Sequence, residues 1–436
     1  MNNRILVIAD LRDASPRIPG LTSSLADLGW QVDIVTPSLG IGPEDYLGFP
    51  EDYLSKVRLI QTLRPKDNLE VFRSFLSKFG QRSESSYLEQ TKRLSSNRIY
   101  RRVVGKAFSL LMSLVAIPDL EFKWRAIAIE AANLEFHSNT YSLIFSSSPF
   151  PTSHIVASQL QKKFGTPWVA DYRDPWSNNP VYIHGRIRKF IDTHIELFTM
   201  KNATIIISVS SDYANSIAKL LKKEVRVVPN GFIDYPSIKK TFKNRSAINI
   251  LHTGNLYFPQ HDLSIFFDGM DLLLKTQPEL FEKTKVSFYG RFESEISQKV
   301  ELKKLENVIT QHGRTSRKDC IELQKNADVL LFFGWQKGMD YGLSHLKFYE
   351  YLNSGAPIFF VGESSDNYSE VLEELNAGFQ IRSPEEFVAR LKQVFDKGSF
   401  SLDSEKVRRL KIERFSYRAR ALDLEKIFLE LIPKRE

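Results

Sequence analysis

A lysine and a glutamate three residues apart, Lys347 and Glu350, are the side chains of this sequence whose types and spacing best suit chemistry. Glycines precede the pair, so the segment predicts a loop and then a helix that Ser344 caps and Gly355 ends. On the shared helix face, a carboxylate can bind ribose hydroxyls while an ammonium contacts phosphate oxygens. The free N–H groups at the helix start favour the same anionic ligand. A solvated ion pair is the alternative interpretation.

A second charged pair, Arg173 and Asp174, follows a predicted strand at 167–170 and precedes a Pro-Trp turn. Ligands of open α/β sheets bind at the carboxyl ends of the strands, so this position favours a role at a substrate. Asp174 would there orient or deprotonate a substrate hydroxyl. A helix-capping aspartate paired with Arg173 is an equally good interpretation of the same residues.

Both pairs need elements to hold them, and hydrophobic periodicity predicts strands that alternate with helices. The first predicted unit is a strand at 5–9, a Pro/Gly loop at 15–20 and a helix at 21–28. Further strands are predicted at 32–35, 141–145, 167–170, 203–208 and 225–228, then at 248–251, 285–289, 308–311, 329–333 and 358–361. The alternation predicts parallel sheets covered by helices.

The periodicity is lost at residues 232–247, which are basic and resemble a linker. We therefore expect two α/β domains, at 1–237 and 238–415, with a basic helical insertion at about 45–125 in the first. The remaining residues, 416–436, are predicted to form a helix that packs back on the first domain.

Composition and missing motifs exclude several classes of protein. The single cysteine, Cys320, rules out an intramolecular disulfide and is interpreted as an ordinary helix residue. The sequence has no Gly-x-x-x-x-Gly-Lys loop and no Gly-x-Gly-x-x-Gly after the first strand, so ATPase and NAD enzyme functions lose their best support. Because no His, Asp or Glu cluster has metal-ligand spacing, we expect neither a metal nor another cofactor.

The sequence also predicts a location. The first apolar run leads into Asp10 and Arg12 rather than a cleavage site, which favours a cytoplasmic protein. The longest uncharged apolar stretch, 107–117, has eleven residues, against the roughly 20 that span a bilayer. Most of the net charge of +8 lies just before it, so residues 61–117 are typical of a helix on the inner, anionic membrane face. A solvated basic insertion is the alternative, and nucleic-acid binding is disfavoured because no recognised module accompanies the charge.

Several motifs resemble the family 4 glycosyltransferases with the GT-B fold, and a bacterial surface-polysaccharide branch of that family in particular. They occur in the family's order and cover nearly the whole chain outside residues 40–115. The motifs are Ser147-Ser148-Pro149, Trp168 to Trp176, His252 to Tyr257, Ser287-Phe288-Tyr289-Gly290, Lys347, Glu350-Tyr351-Leu352 and Ser354 to Pro357. The resemblance implies two Rossmann-like domains whose parallel sheets face a central cleft.

The resemblance also implies an activity: transfer of a sugar from a nucleoside diphosphate sugar to a glycan or lipid-linked acceptor, with retained anomeric configuration and without a metal. Glu350 would bind the donor ribose, and Gly254 would let the backbone approach the diphosphate. The candidate catalytic residues are Asp174, Arg173 and Lys347. The candidate donor-binding residues are Gly254, Asn255, Gly290, Arg291, Arg314, Ser344, Leu346, Lys347 and Glu350.

The chain departs from the family's pattern at the diphosphate. Many members have an arginine and a lysine soon after the glycine that corresponds to Gly254, whereas this chain has Asn255, Gln260 and His261. Those cations stabilise the charge of the leaving diphosphate. The candidates to replace them are Lys347, Arg291 and Arg314. If none does, the alternative function is a non-catalytic scaffold that binds a nucleotide sugar or a glycan.

Two further family positions differ. Residue 342 is a glycine where the family often has a glutamate eight residues before the one matching Glu350. A histidine often found after the fourth strand is absent near Ser147. His154, seven residues later on a predicted helix, is interpreted as a structural residue.

Overall fold

The computed structural model describes residues 3–12, 15–40, 52–66, 117–179, 182, 185–234, 247–258, 260–290, 294–336, 346–363, 367–397 and 411–432. Within them the chain forms two parallel β-sheets, one of seven strands and one of six, each flanked by helices. The central strands are continuous apolar runs because helices cover both faces of the sheets. Ile5, Leu6, Val7 and Ile8, for example, are fully buried.

The N-terminal sheet has the strand order β3-β2-β1-β4-β5-β6-β7, and its strand pairs are parallel. Its elements are β1 (Arg4–Ile8), α1 (Arg17–Asp27), β2 (Gln31–Pro37), α2 (Tyr53–Lys56), β3 (Val57–Thr62), α3 (Trp124–Ser138), β4 (Leu143–Ser147), α4 (Pro151–Phe164), β5 (Trp168–Tyr172), α5 (Arg186–Met200), β6 (Ile205–Ser208), α6 (Ser211–Leu221) and β7 (Val225–Val227).

The C-terminal sheet has the order β10-β9-β8-β11-β12-β13, again parallel. Its elements are β8 (Ile248–Thr253), α7 (Ser264–Thr276), α8 (Pro278–Glu282), β9 (Thr284–Tyr289), α9 (Ser294–Leu302), β10 (Ile309–His312), α10 (Arg317–Asn326), β11 (Val329–Phe333), α11 (Leu346–Ser354), β12 (Ile358–Val361), α12 (Tyr368–Glu374), β13 (Gly378–Ile381) and α13 (Pro384–Lys397). The last helix is α14 (Tyr417–Leu431).

In both sheets the strand order reverses beside the first strand, between β1 and β4 and between β8 and β11. A crevice opens at the carboxyl ends of the strands on either side of such a reversal, and ligands bind there in open α/β sheets. The predicted residue pairs therefore lie on the expected edges: Arg173 and Asp174 follow β5, and Lys347 and Glu350 lie on α11 after β11.

The chain returns to the N-terminal domain through α14, which packs on α1. The ring of Tyr417 occupies the place of a side chain at Gly20, where an added Cβ would lie 2.2 Å from Tyr417 Cδ2. Phe428 packs edge-on against Trp30 at 5.4 Å, and Trp30 Nε1 donates to Glu425 at 2.8 Å. This last helix thereby completes the hydrophobic core under β1 and β2.

All eleven predicted strands are present, with ends that differ by at most two residues, but three predictions of local structure were wrong. Helix α1 begins at Arg17, inside the predicted Pro/Gly loop, and Gly20 lies within it with its Cα side against the ring of Tyr417. Strand β3 was expected as part of a helical insertion, and β13 was missed altogether. Most of that insertion, residues 67–116, lies outside the described residues and includes all but the last residue of the predicted apolar stretch at 107–117. No described helix is long and apolar enough to span a membrane.

Candidate active site

Two glycines lie against each other at the carboxyl ends of β8 and β9. Gly254 has φ of 106° and Gly290 has φ of 147°, a region of backbone conformation that favours glycine. A Cβ on Gly290 would lie 2.4 Å from Gly254 O, and one on Gly254 would lie 2.8 Å from Lys347 Cε. The Gly254 N–H donates to Tyr289 O at 2.7 Å. The two loops are therefore packed closely under the side chain of Lys347.

Lys347 is half-buried on α11, and its Nζ lies 3.3 Å from His252 Nε2. The other ring nitrogen of His252 donates to Leu331 O at 2.9 Å, which leaves Nε2 as the acceptor for the ammonium. Burial, and then the charge of Lys347, holds the pKa of His252 well below its ordinary value. The imidazole is thus neutral, and it orients the lysine without cancelling its charge.

The pKa of Lys347 itself is lowered from 10.5 to about 8, because burial disfavours the ammonium more than Cys320 and Glu350 favour it. A second imidazole, His261, borders the same ammonium, and burial followed by the charge of Lys347 lowers its pKa to about 4. Near neutral pH both imidazoles that interact with the Lys347 ammonium are therefore neutral.

Glu350 forms an ion pair with Arg317, a residue that sequence reasoning missed. Both side chains are largely buried, with 13% and 14% of their surface exposed. Arg317 opens α10, whose N-cap Ser316 accepts a hydrogen bond from Asp319 N at 3.1 Å. In the sequence, Ser316 predicts a helix that begins at Arg317. Nothing in the sequence pattern predicts that Arg317 pairs with Glu350.

Polar contacts tie the end of β8 to helices α10 and α11. Thr253 N donates to Tyr351 Oη at 2.9 Å, and Gln324 Nε2 donates to Thr253 Oγ1 at 3.0 Å. Gln324 also contacts Cys320 Sγ at 3.4 Å, which places the lone cysteine on a helix as predicted. These bonds hold Gly254, Lys347 and Glu350 in a fixed arrangement.

The other predicted donor-binding residues lie in different surroundings rather than in one cluster. Asn255 Nδ2 donates to Tyr257 Oη at 3.3 Å, next to Gly254. Arg314 is exposed on the loop after β10, one residue beyond Gly313, whose carbonyl accepts from Gly290 N. Leu346 packs against the hydrophobic core of the N-terminal domain. Arg291 and Ser344 lie outside the described residues.

The N-terminal edge is organised around an ion pair that the sequence reasoning did not identify. Arg17 is fully buried, and its Nη2 lies 2.8 Å from Asp171 Oδ1. The guanidinium also donates to Val228 O at 2.9 Å and to Pro229 O at 3.0 Å. Ser147 Oγ donates to Asp171 Oδ2 at 2.7 Å. The signal available in the sequence was Asp171 itself, a carboxylate at the end of an apolar strand.

Arg173 and Asp174 form the predicted pair, with Arg173 Nε 3.2 Å from Asp174 Oδ2. The helix-capping interpretation of Asp174 was wrong, because the next helix begins at Arg186 after Gly185. Arg173 lines a small pocket at this edge together with Asp10, Ser147 and Ser148. Asp174 is fixed through its backbone N–H, which donates to Ser148 Oγ at 3.3 Å.

His154 lies inside the domain, as its interpretation as a structural residue predicts. Its side chain is buried, its Nδ1 lies 2.8 Å from Ser146 Oγ, and its ring stacks on Tyr172 at 5.0 Å. Burial lowers its pKa to about 4, so the ring is neutral. Among the residues that the structure describes, no group of three His, Cys, Asp or Glu side chains could hold a metal ion.

The sequence matches no protein-family model and no curated protein. Solved structures do match it over nearly its whole length. Sucrose-phosphate synthase from Thermosynechococcus elongatus is 14% identical, with 98% of each chain covered and a TM-score of 0.59. A glycosyltransferase from Rickettsia africae is 13% identical, with 99% of each chain covered and a TM-score of 0.56.

A third similar structure is HepE from Anabaena in complex with UDP, which is 11% identical, covers 98% of this chain and 100% of its own, and gives a TM-score of 0.57. At these identities the likeness shows the fold alone. The predicted GT-B fold, two Rossmann-like domains with parallel sheets, is thereby confirmed.

Proposed function

We propose that this chain is a glycosyltransferase that moves a sugar from a nucleoside diphosphate sugar to a hydroxyl group of a glycan or lipid-linked acceptor. The observation that carries the proposal is the cluster of Gly254, Gly290, Lys347 and Glu350 at the carboxyl edge of the second GT-B sheet. Solved proteins of the same fold include glycosyltransferases and a UDP complex, which supports a nucleotide-sugar donor.

In the proposed donor site, Gly254 carries no side chain, so the end of Lys347 lies directly against the backbone at the carboxyl end of β8, where the diphosphate binds in this proposal. The ammonium of Lys347, held by neutral His252, stabilises the negative charge that develops on the leaving diphosphate. Glu350 accepts hydrogen bonds from the ribose hydroxyls, and Arg317 fixes its orientation. Lys347 thus takes the place of the family's missing Arg/Lys pair.

In the proposed acceptor site, Arg173 lines the pocket at the carboxyl ends of β1, β4 and β5, and Asp174 is paired with it. Asp174 orients the acceptor hydroxyl and takes its proton, while the hydroxyl oxygen forms the new bond to the anomeric carbon and the nucleoside diphosphate leaves with the electrons of the broken bond. We propose retention of the anomeric configuration, and a role in cytoplasmic synthesis of surface polysaccharide, on the resemblance to family 4 enzymes alone.

The experiment that tests the donor site is a thermal-shift screen of the full chain against a panel of nucleotide sugars, followed by turnover assays with the stabilising donor. A donor present well above its Kd should raise the melting temperature, because it binds only the folded state. Glu350→Ala should reduce that shift at the same donor concentration. A flat response to every donor, with the folded protein verified, contradicts the proposal.

Turnover should persist in EDTA, because the proposed site neutralises the diphosphate with an ammonium and backbone N–H groups. Assays with and without chelator measure this directly. Turnover that is lost in EDTA and restored by Mg²⁺ or Mn²⁺ would contradict it.

The alternative function is a scaffold that binds a nucleotide sugar or a glycan without transferring the sugar. The observation that favours it is the polar set Asn255, Gln260 and His261, where many family members carry an arginine and a lysine. The two functions differ in one measurement. A scaffold binds the donor with no release of nucleoside diphosphate in the presence of acceptor or water, whereas the enzyme releases it.

A further inference from the structure

Helix α5 buries three charged side chains and exposes four large apolar ones. Arg188 and Asp192 are 1% exposed and Glu196 is fully buried, whereas Phe190 is 65% and Phe198 61% exposed. A surface helix of a globular domain ordinarily shows the opposite arrangement. An apolar outer face therefore needs a physical reason of its own.

The inner face is fixed by hydrogen bonds and an ion pair. Arg188 Nε lies 2.8 Å from Asp192 Oδ2, and Arg188 Nη2 donates to Pro118 O at 2.7 Å. Glu196 accepts from Tyr172 Oη at 3.0 Å and from Ser177 N at 3.0 Å. Because breaking these buried contacts is costly, the helix cannot rotate to hide its apolar side.

The outer face carries an apolar stripe. Together with residue 194, positions 187, 190, 197 and 198 follow a three- and four-residue spacing, so Ile187, Phe190, Leu197 and Phe198 lie along one side of α5, and all four are exposed. His194 occupies the position between Phe190 and Leu197 and is exposed as well. Exposed apolar surface that is contiguous in this way marks an interaction site.

The charge around the stripe has one sign. The exposed charged residues of α5 and of its C-cap are Arg186, Lys189 and Lys201, while its two acids are the buried ones. Lys201 Nζ lies 4.2 Å from the ring centre of Phe198, and Lys162 Nζ from the neighbouring helix α4 lies 4.6 Å from it. Ammonium groups thus border one of the two exposed phenylalanine rings.

We propose that this outer face of α5 docks on an anionic lipid membrane. Phenylalanine, isoleucine and leucine enter the boundary between headgroups and acyl chains, while lysine and arginine remain at the level of the lipid phosphates. A second copy of the chain is a poorer occupant, because pairing two such faces would bring like charges together. The proposal does not depend on the reaction proposed above.

Its first test places a polarity-sensitive dye on the face itself, in the full-length chain carrying Cys320→Ser. Phe198→Cys labels α5, and Leu302→Cys labels a control site in the other domain that is 81% exposed and followed by Lys303 and Lys304. With phosphatidylglycerol vesicles, the dye at position 198 should shift to shorter wavelength and the dye at position 302 should not. High salt should weaken the response.

No shift at position 198, or equal shifts at the two positions, overturns the proposal. Equal responses to phosphatidylglycerol and to pure phosphatidylcholine vesicles overturn the assignment to anionic lipid.

The second test measures vesicle partitioning by sedimentation. Phe190→Ser/Phe198→Ser should lower the vesicle–water partition coefficient roughly tenfold or more, because two aromatic side chains that insert into the membrane are lost. Leu302→Ser should leave the partition coefficient unchanged. All three positions are exposed, so the variants should melt like the parent. The variant Arg98/Arg101/Arg102/Lys106→Glu changes the basic segment outside the described residues. Binding that is lost in this variant but retained in the α5 variant overturns the proposal.

Discussion

At the N-terminal sheet edge the buried cation is Arg17, which Asp171 holds at 2.8 Å and two backbone carbonyls also bind. At the C-terminal edge the corresponding cation is Lys347, whose Nζ contacts the neutral ring of His252 at 3.3 Å. One cation is neutralised within the fold, and the other is oriented without being neutralised. Glu350, the carboxylate on the same helix as Lys347, is itself paired with Arg317.

The difference separates two uses of buried charge. A fully paired ion pair ties distant segments together, and removing one partner leaves an uncompensated charge. Burial that lowers the pKa of Lys347 also makes its ammonium form less favourable in the folded protein. We infer that a bound anion compensates this cost. We therefore expect substitutions at Arg17 to reduce stability and substitutions at Lys347 to reduce function.

The largest effect should follow from Arg17→Met, which leaves Asp171 charged and buried. We expect a loss of about 3–5 kcal/mol in the free energy of unfolding, measured by denaturant titration. The control is Arg226→Met, which removes an exposed pair with Glu430 and should cost less than about 1 kcal/mol. The double variant Arg17→Met/Asp171→Leu should recover part of the loss. Equal costs for Arg17→Met and Arg226→Met would erase the contrast between the two edges.

Lys347→Met should give the converse result. Stability should stay the same or rise, because a desolvated ammonium is removed, whereas kcat should fall by about 10²–10³, the usual effect of losing one group that stabilises developing charge. Lys347→Arg keeps the charge and should retain part of the activity. Denaturant titration and steady-state kinetics on the same preparations measure both quantities. A stability loss as large as that of Arg17→Met would make Lys347 a structural residue.

Glu350→Ala should weaken nucleotide-sugar binding by about 1.5–3 kcal/mol, the range for hydrogen bonds to a charged group, while the fold survives. Calorimetry measures the affinity. Glu374→Ala is the matched control, because Glu374 is an exposed glutamate of the same domain that is also paired with an arginine, Arg414. If Glu350→Ala and the control both bind the donor with unchanged affinity, Glu350 does not contact the donor.

The sequence was sufficient to predict most strands of the two sheets, but not the polar contacts between residues far apart in the chain. Strands such as β1 and β11 were predictable because both of their faces are buried and their apolar runs are continuous. β3 was missed because Arg58 and Gln61 interrupt its apolar pattern at the sheet edge. β13 was missed because it is only four residues long and begins with a glycine.

Helical spacing likewise placed Lys347 and Glu350 on one face but could not identify their partners. Their partners, His252 and Arg317, precede them by 95 and 33 residues. Arg17 and Asp171, separated by 154 residues, were missed for the same reason. A local pattern specifies the direction of a side chain, whereas the packing of helices on a sheet decides which remote residue it meets.

The smallest effect, and the sharpest test of the comparison, is the pH dependence of donor affinity. The pKa of Lys347 is about 8, so its ammonium is largely protonated at pH 7 and largely deprotonated at pH 9. The protonated form attracts the diphosphate, so affinity should fall as pH rises through 8. For a single coupled proton the loss from pH 7 to 9 is about tenfold, or about 1.4 kcal/mol. The diphosphate of a nucleotide sugar has no proton to lose in this range, so the change reports on the protein.

Calorimetry across that range should show the decline in the parent protein and a flat profile in Lys347→Arg, since arginine stays charged. It should also show a flat, weaker profile in Lys347→Met. A decline of equal size in Lys347→Met would assign the titration to another group, and the ammonium of Lys347 would no longer explain donor binding.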